Sequence, residues 1–264
     1  MTVFEPKKAS GSHFYRYQSA AHLEWLEPII LQHLLYIPTV AQLNDPTDCR
    51  PKIKPMSEEE MVTFLRNDYI RRNPVLALDL LEKHTALIRE RIRSLGMEWF
   101  MRELSKIMNE QMEQFRVFSL TKRYDNLSLW AKYAADHTGY CLEFLHEGPL
   151  FGEHVLEVIY GEYAPFDLND SQNRNASFLV HKRLEWSNEE EVRLIRARGS
   201  GPRVMIQPQW LTRIILGKNM SPENQKQIRE SAKQRDPELL VVNAYFDELH
   251  QGIRLKQAGG APLT

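Results

Sequence analysis

The chain reads as an α+β protein whose mixed, mostly antiparallel sheet is split around a helical insertion. Three observations predict this. Short runs rich in aromatic and β-branched residues recur between residues 13 and 246, without the regular strand–helix–strand alternation of a doubly wound fold. Residues 57–113 carry the other period, with apolar residues every three or four positions. Neither a Walker sequence nor Gly-x-Gly-x-x-Gly is present, so a P-loop or dinucleotide-fingerprint enzyme is disfavoured.

Taken in order, HFYRY (13–17) reads as a first strand, because aromatics suit a pleated surface. Leu23, Leu26, Ile30 and Leu34 predict a helix over 22–34, with Pro28 in its first turn or at a kink. LNDPTD (43–48) is turn-rich, since Asn and Asp bond their own backbone and Pro46 fixes the chain behind them. Ser57 and Glu60 form a capping box. From there, apolar stripes through Leu76–Leu95 and Met97–Met112, separated by Gly96, predict two or three amphipathic helices. Strands are expected at 115–120, 139–145, 154–163, 190–197, 203–206, 212–217 and 238–246, and helices at 127–135 and 173–184. Ser221 followed by Pro222 opens a further helix. Residues 1–256 are expected to form one domain and QAGGAPLT (257–264) a disordered tail.

With 264 residues and a formal charge of −1, the chain has ample core and no overall electrostatic footprint for nucleic acid. Two cysteines without Cys-x-x-Cys spacing argue against a disulfide scaffold or structural zinc. No signal-peptide core and no run of 18 apolar residues is found, so a cytoplasmic protein without membrane partners is expected. Met97, Met101, Met108 and Met112 are candidates for an adaptable partner surface.

The richest stretch is EWSNEEEVRLI (185–195). On a strand, Glu189, Glu191 and Arg193 share one side and Glu190 falls with Val192 and Leu194. Two readings stay open: a solvated face with an ion pair, or a Glu-x-Glu pair at a cleft, where one carboxylate stabilises positive charge at a sugar C1 and the other positions an acceptor. Trp186 would floor that cleft or pack in the core. Ser119 and Thr121 share a strand face, either bonding backbone or forming a polar rim. Trp130 and Tyr133 lie one helical turn apart, as core or as a ligand platform. Gly139 is expected to supply a positive φ or a close approach. Arg16, between Tyr15 and Tyr17, suits a bidentate phosphate contact or a surface ion pair. Asn44 and Asp45 are turn formers that could also line a site.

In order, Tyr15-Arg16-Tyr17, Asn44-Asp45-Pro46, Phe118-Ser119-Leu120, Trp130 to Gly139 and Trp186 to Arg193 resemble a widespread bacterial family catalogued only as a domain of unknown function. The run covers about residues 13–246. A more remote resemblance is to the ADP-ribosyltransferase superfamily, carried by Arg16, Ser119-Leu120-Thr121 and Glu189-Glu190-Glu191. It implies an NAD-dependent transferase of the kind found among bacterial toxins and defence effectors, with NAD as co-substrate, a protein or nucleic-acid acceptor, and no metal. Glu191 would bond the 2′-hydroxyl of the nicotinamide ribose and stabilise the oxocarbenium-like transition state, Glu189 would engage the acceptor, and Ser119 would orient the glutamate. Arg16 would contact phosphate or ribose, and Tyr17 or Trp130 would stack on nicotinamide. Asn44, Asp45, Tyr133 and Arg193 complete the expected cofactor surroundings. The acceptor-loop spacing usual before the glutamate pair is not recognisable. The alternatives are a non-catalytic nucleotide- or protein-binding module and, ranked last, a metal-dependent nuclease or hydrolase using Asp45, Glu189 and Glu191.

Overall fold

The computed structural model describes residues 7–75, 78–146, 155–162, 165–169, 177–197, 199–235 and 237–257. It is an α+β fold, as the sequence predicts. The strands are β1 (His13–Gln18), β2 (Leu34–Tyr36), β3 (Arg116–Thr121), β4 (Tyr140–Leu145), β5 (Val155–Glu157), β6 (Ile159–Tyr160), β7 (His181–Lys182), β8 (Glu191–Arg196), β9 (Arg203–Met205), β10 (Leu211–Leu216), β11 (Leu240–Asp247) and β12 (Gly252–Lys256). The helices are α1 (Leu26–Leu31), α2 (Glu58–Arg72), α3 (Leu78–Leu95), α4 (Met97–Met112), α5 (Leu127–Lys132) and α6 (Pro222–Gln234). Eight strands form one sheet in the order β12-β11-β10-β4-β1-β3-β8-β5, antiparallel except where α6 carries the chain from β10 to its parallel neighbour β11.

Alternation along the strands builds two cores. On one face Phe14, Phe118, Leu142, Phe144, Val192 and Leu194 pack with Leu26 and Ile30 of α1 and Ile228 of α6. On the other, Tyr17, Cys141, Ile215 and Val242 pack against Leu129 and Trp130 of α5. The helical insertion makes its own small core, where Met61, Val62, Ile88 and Ile92 meet Met97, Phe100 and Met101. Its capping box is present, with Ser57 N–H donating to Glu60 and Glu60 N–H to the Ser57 hydroxyl. Gly96, at φ +83°, makes the turn from α3 into α4. Met97 and Met101 therefore face inward, and Met112 packs against the Val117–Phe178 cluster. The exposed apolar residues of the insertion are instead Ile70, Val75, Leu78, Leu80, Leu87, Leu95, Trp99 and Ile107.

One irregularity of the sheet creates the cleft. Strand β1 runs against β4 from His13–Leu145 to Gln18–Tyr140, and β3 runs against β8 from Arg116–Arg196 to Thr121–Glu191. Between β1 and β3 the only paired position is Tyr15 opposite Thr121. The two halves of the sheet separate beyond that point.

Several expected elements differ. The helix expected over 22–34 is a 3-10 turn, Ala20–Trp25, then α1, then β2, which pairs with β9 outside the main sheet. Ser19 caps the 3-10 turn and His22 leaves helical geometry, so α1 restarts just before Pro28, which then sits in a first turn where its missing N–H costs nothing. The strand expected at 154–163 breaks at Val158, whose N–H turns to the Glu191 carbonyl. The described part of the helix expected at 173–184 is a 3-10 turn (Ser177–Leu179) followed by β7, with a second 3-10 turn at Leu184–Glu189; residues 173–176 lie outside the described residues. Strand β12 was not expected, and residues 258–264 of the expected tail lie outside the described residues. Gly139 serves close approach: a Cβ there would lie 2.1 Å from the Gln18 carbonyl oxygen.

Candidate functional site

Where β1 and β3 separate lies a cavity of about 310 Å³. Arg16 and Tyr17 line it from β1, Ser119 and Thr121 from β3, Tyr133 from the turn after α5, and Asn44 and Asp48 from the loop after β2. Lys182, Glu189 and Glu191 close the opposite wall. Expected site residues Arg16, Tyr17, Asn44, Ser119, Tyr133, Glu189 and Glu191 therefore meet around one space. Trp130 does not: its side chain is wholly buried, its indole N–H donates to the Tyr124 carbonyl, and its ring stacks on His137 and meets the edge of Tyr17. It supports the wall rather than facing a ligand. Asp45 lines a neighbouring cavity of about 380 Å³ and accepts from Thr47 N–H and hydroxyl at 2.8 and 2.7 Å. The Asp45–Glu189–Glu191 grouping expected for a metal-dependent hydrolase is thus divided between two cavities.

The glutamates are buried, so the solvated-face reading is overturned. Glu189 ends a 3-10 turn, Glu190 takes a left-handed conformation at φ 44°, and Glu191 begins β8. This reversal turns Glu190 outward to Arg123, 3.4 Å away, while Glu189 and Glu191 both reach inward. Thr121 holds the turn by donating to the Glu189 carbonyl at 2.7 Å.

Each inward carboxylate has three donors. Arg193 Nε donates to Glu191 Oε1 at 2.7 Å, and Arg193 Nη2 and Lys182 Nζ donate to Oε2 at 3.1 and 2.8 Å. Glu189 accepts from Lys182 Nζ at 2.6 Å, the Tyr133 hydroxyl at 2.9 Å and Lys132 Nζ at 3.3 Å. Arg193 is wholly buried and continues to both carboxylate oxygens of Asp48, at 2.6 and 3.1 Å, and to the Leu179 carbonyl at 2.8 Å. It thus lies behind Glu191, fixing its position rather than touching a ligand. Ser119 lies opposite Arg193 in the ladder and makes no hydrogen bond to Glu191, so the orienting role expected of Ser119 belongs to Arg193 and Lys182. Trp186 packs behind the lysines, with Lys132 Nζ 3.5 Å and Lys182 Nζ 5.3 Å from its ring centre.

Arg16 is the site's surplus cation. Among the described residues, four cations (Arg16, Lys132, Lys182, Arg193) face three carboxylates (Asp48, Glu189, Glu191), and the other three cations are ion-paired with these acids. The Arg16 guanidinium lies 4.5 Å over the Phe118 ring and Nη1 donates to the Ser119 carbonyl at 2.7 Å, while its buried Nε has no partner among the described residues. Burial lowers its pKa, opposed chiefly by Tyr140 and Glu191. An unsatisfied guanidinium at a cavity is an anion receptor.

Burial pushes the Glu191 carboxyl up, but Arg193 and Lys182 outweigh it and bring it from the ordinary 4.5 to about 2. A group depressed on folding stabilises the fold above its unfolded value, and that contribution is lost as pH falls through its folded one. Unfolding followed by urea at fixed pH values should therefore show stability declining from about pH 4.5 toward pH 2, and Glu191→Gln should flatten that part of the curve. Lys182 shifts the other way, burial lowering its pKa and Glu191 and Glu189 raising it further, so the pair stays charged at neutral pH.

Thr121, expected to share a polar rim with Ser119, lines the cavity, whereas Lys182, Asp48 and Lys132 were not expected at the site. Lys182 fell in a segment read as helical. Asp48 lies four residues beyond Asn44 in the recognised turn, where its separation from Asn44-Asp45 gave no cue. No family model, curated protein or solved structure matches the chain. No helix among the described residues is long and apolar enough to cross a membrane.

Proposed function

We propose that the cleft binds NAD and catalyses transfer of its ADP-ribosyl group, with Glu191 as the catalytic carboxylate. The observation that carries this reading is the meeting of an unpaired guanidinium and a buried, ionised glutamate around one cavity at a split in the sheet. Arg16 suits the pyrophosphate, which needs charge-assisted donors. Glu191 suits the nicotinamide ribose. A carboxylate has about four acceptor positions; three donors occupy Glu191, which leaves room for one ribose hydroxyl. Its negative charge, fixed in place before reaction, stabilises the positive charge that develops at C1′ as nicotinamide departs. Arg193 and Lys182 act as positioning residues for it. The remote resemblance to the ADP-ribosyltransferase superfamily supports the same reading, and a toxin or defence role belongs with it.

The pairing of Glu191 with two cations, which offset its negative charge, favours a second reading, a nucleotide-binding module without turnover. Calorimetric titration with NAD combined with chromatography of the nicotinamide released separates the two. Binding with release supports the transferase. Binding of NAD that persists unconsumed favours the module. Absence of both binding and release overturns the NAD assignment.

A further inference from the structure

The acceptor side of the cleft is closed to large or cationic groups. Glu189, the carboxylate expected to engage an acceptor, has a side chain only 7% exposed. Two ammonium groups hold it, and the more exposed one, Lys132, also rests against the Trp186 ring. A guanidinium approaching Glu189 would meet both like charges at contact distance and would have to displace a lysine. Glu189 nevertheless keeps about one of its four acceptor positions, since three donors are bound. A neutral molecule the size of water meets these conditions.

We propose that the acceptor at this site is water, so that the reaction is hydrolysis of NAD to ADP-ribose; this rests on the NAD reading above. The C1′–N bond breaks and its electron pair passes to the pyridinium nitrogen, releasing neutral nicotinamide. The water oxygen bonds C1′, and its proton passes to the Glu189 carboxylate and on to solvent. No oxidant, reductant or further reactant is needed.

The test uses the full chain with NAD labelled in the adenylate, a cell lysate as a source of macromolecular acceptors, and agmatine as a free guanidinium probe. The expected result is free ADP-ribose equal to the nicotinamide released, with no label on macromolecules or agmatine. Added methanol, a small neutral acceptor, should divert part of the product to the methyl glycoside. Glu189→Gln should lower hydrolysis by about a hundredfold, the lower range for a lost general base, while calorimetric NAD affinity is retained. Consumption of NAD accounted for by labelled macromolecules or agmatine would overturn the water assignment and leave the transferase reading intact. NAD bound without nicotinamide release, or not bound at all, would overturn both.

Discussion

Replacing Arg193 with Met should destabilise the protein by about 3–5 kcal/mol, the cost of breaking one partner out of a buried ion network. The side chain is wholly buried and its guanidinium serves four groups: Asp48, Glu191, the Leu179 carbonyl and the Cys49 sulfur. Methionine fills similar volume, so packing loss is the smaller part. The larger part is two carboxylates left in a low-dielectric interior, Asp48 without a cation and Glu191 with Lys182 alone. Domains of this kind are stable by only about 5–15 kcal/mol, so the variant would lie close to unfolding at ambient temperature. Urea denaturation reads the effect directly. A loss below about 1 kcal/mol, typical of a surface ion pair, would show that the network does not hold the loop after β2 to β8. The Asp48→Asn, Arg193→Met double variant should be less damaged than the sum of its parts, because each substitution removes the other's unmet partner.

Much of the fold was legible because period is a local property. The aromatic- and β-branched-rich runs at 115–120 and 139–145, the helical stripes of the insertion, its capping box and the Ser221-Pro222 start all became the expected elements. The site was legible in part for the same reason: Arg16, Ser119 and the glutamates sit on or beside readable strands. What failed depended on tertiary contacts. The stretch around Lys182 has no clean period, and its two-residue strand exists only because it pairs with Ile159–Tyr160. The left-handed turn at Glu190 could not be read from three identical acids, yet it lets Glu189 reach inward although it lies outside the strand. Trp130 carried the same aromatic signal as a ligand platform and proved to be core, because α5 packs it against Tyr17, Cys141 and Ile215 of the sheet.

In the proposed reaction the glutamate at 191 bears the greatest functional weight. Glutamine there keeps shape and one acceptor oxygen but removes the negative charge facing C1′. Losing one preorganised electrostatic group of this kind lowers turnover by about 10²–10³-fold. Binding should be nearly unaffected, because Arg16 and the cavity walls supply it. Arg193 and Lys182 would lose an ion-pair partner but retain Asp48 and Glu189 respectively, so the fold should survive. The most direct measurement is therefore nicotinamide release under saturating NAD by the wild-type chain and the Glu191→Gln variant side by side, with NAD affinity measured on both. The account predicts release by the wild type, a loss of about 10²–10³-fold in the variant, and similar affinities. Equal release by the two proteins, or none by the wild type, would contradict it.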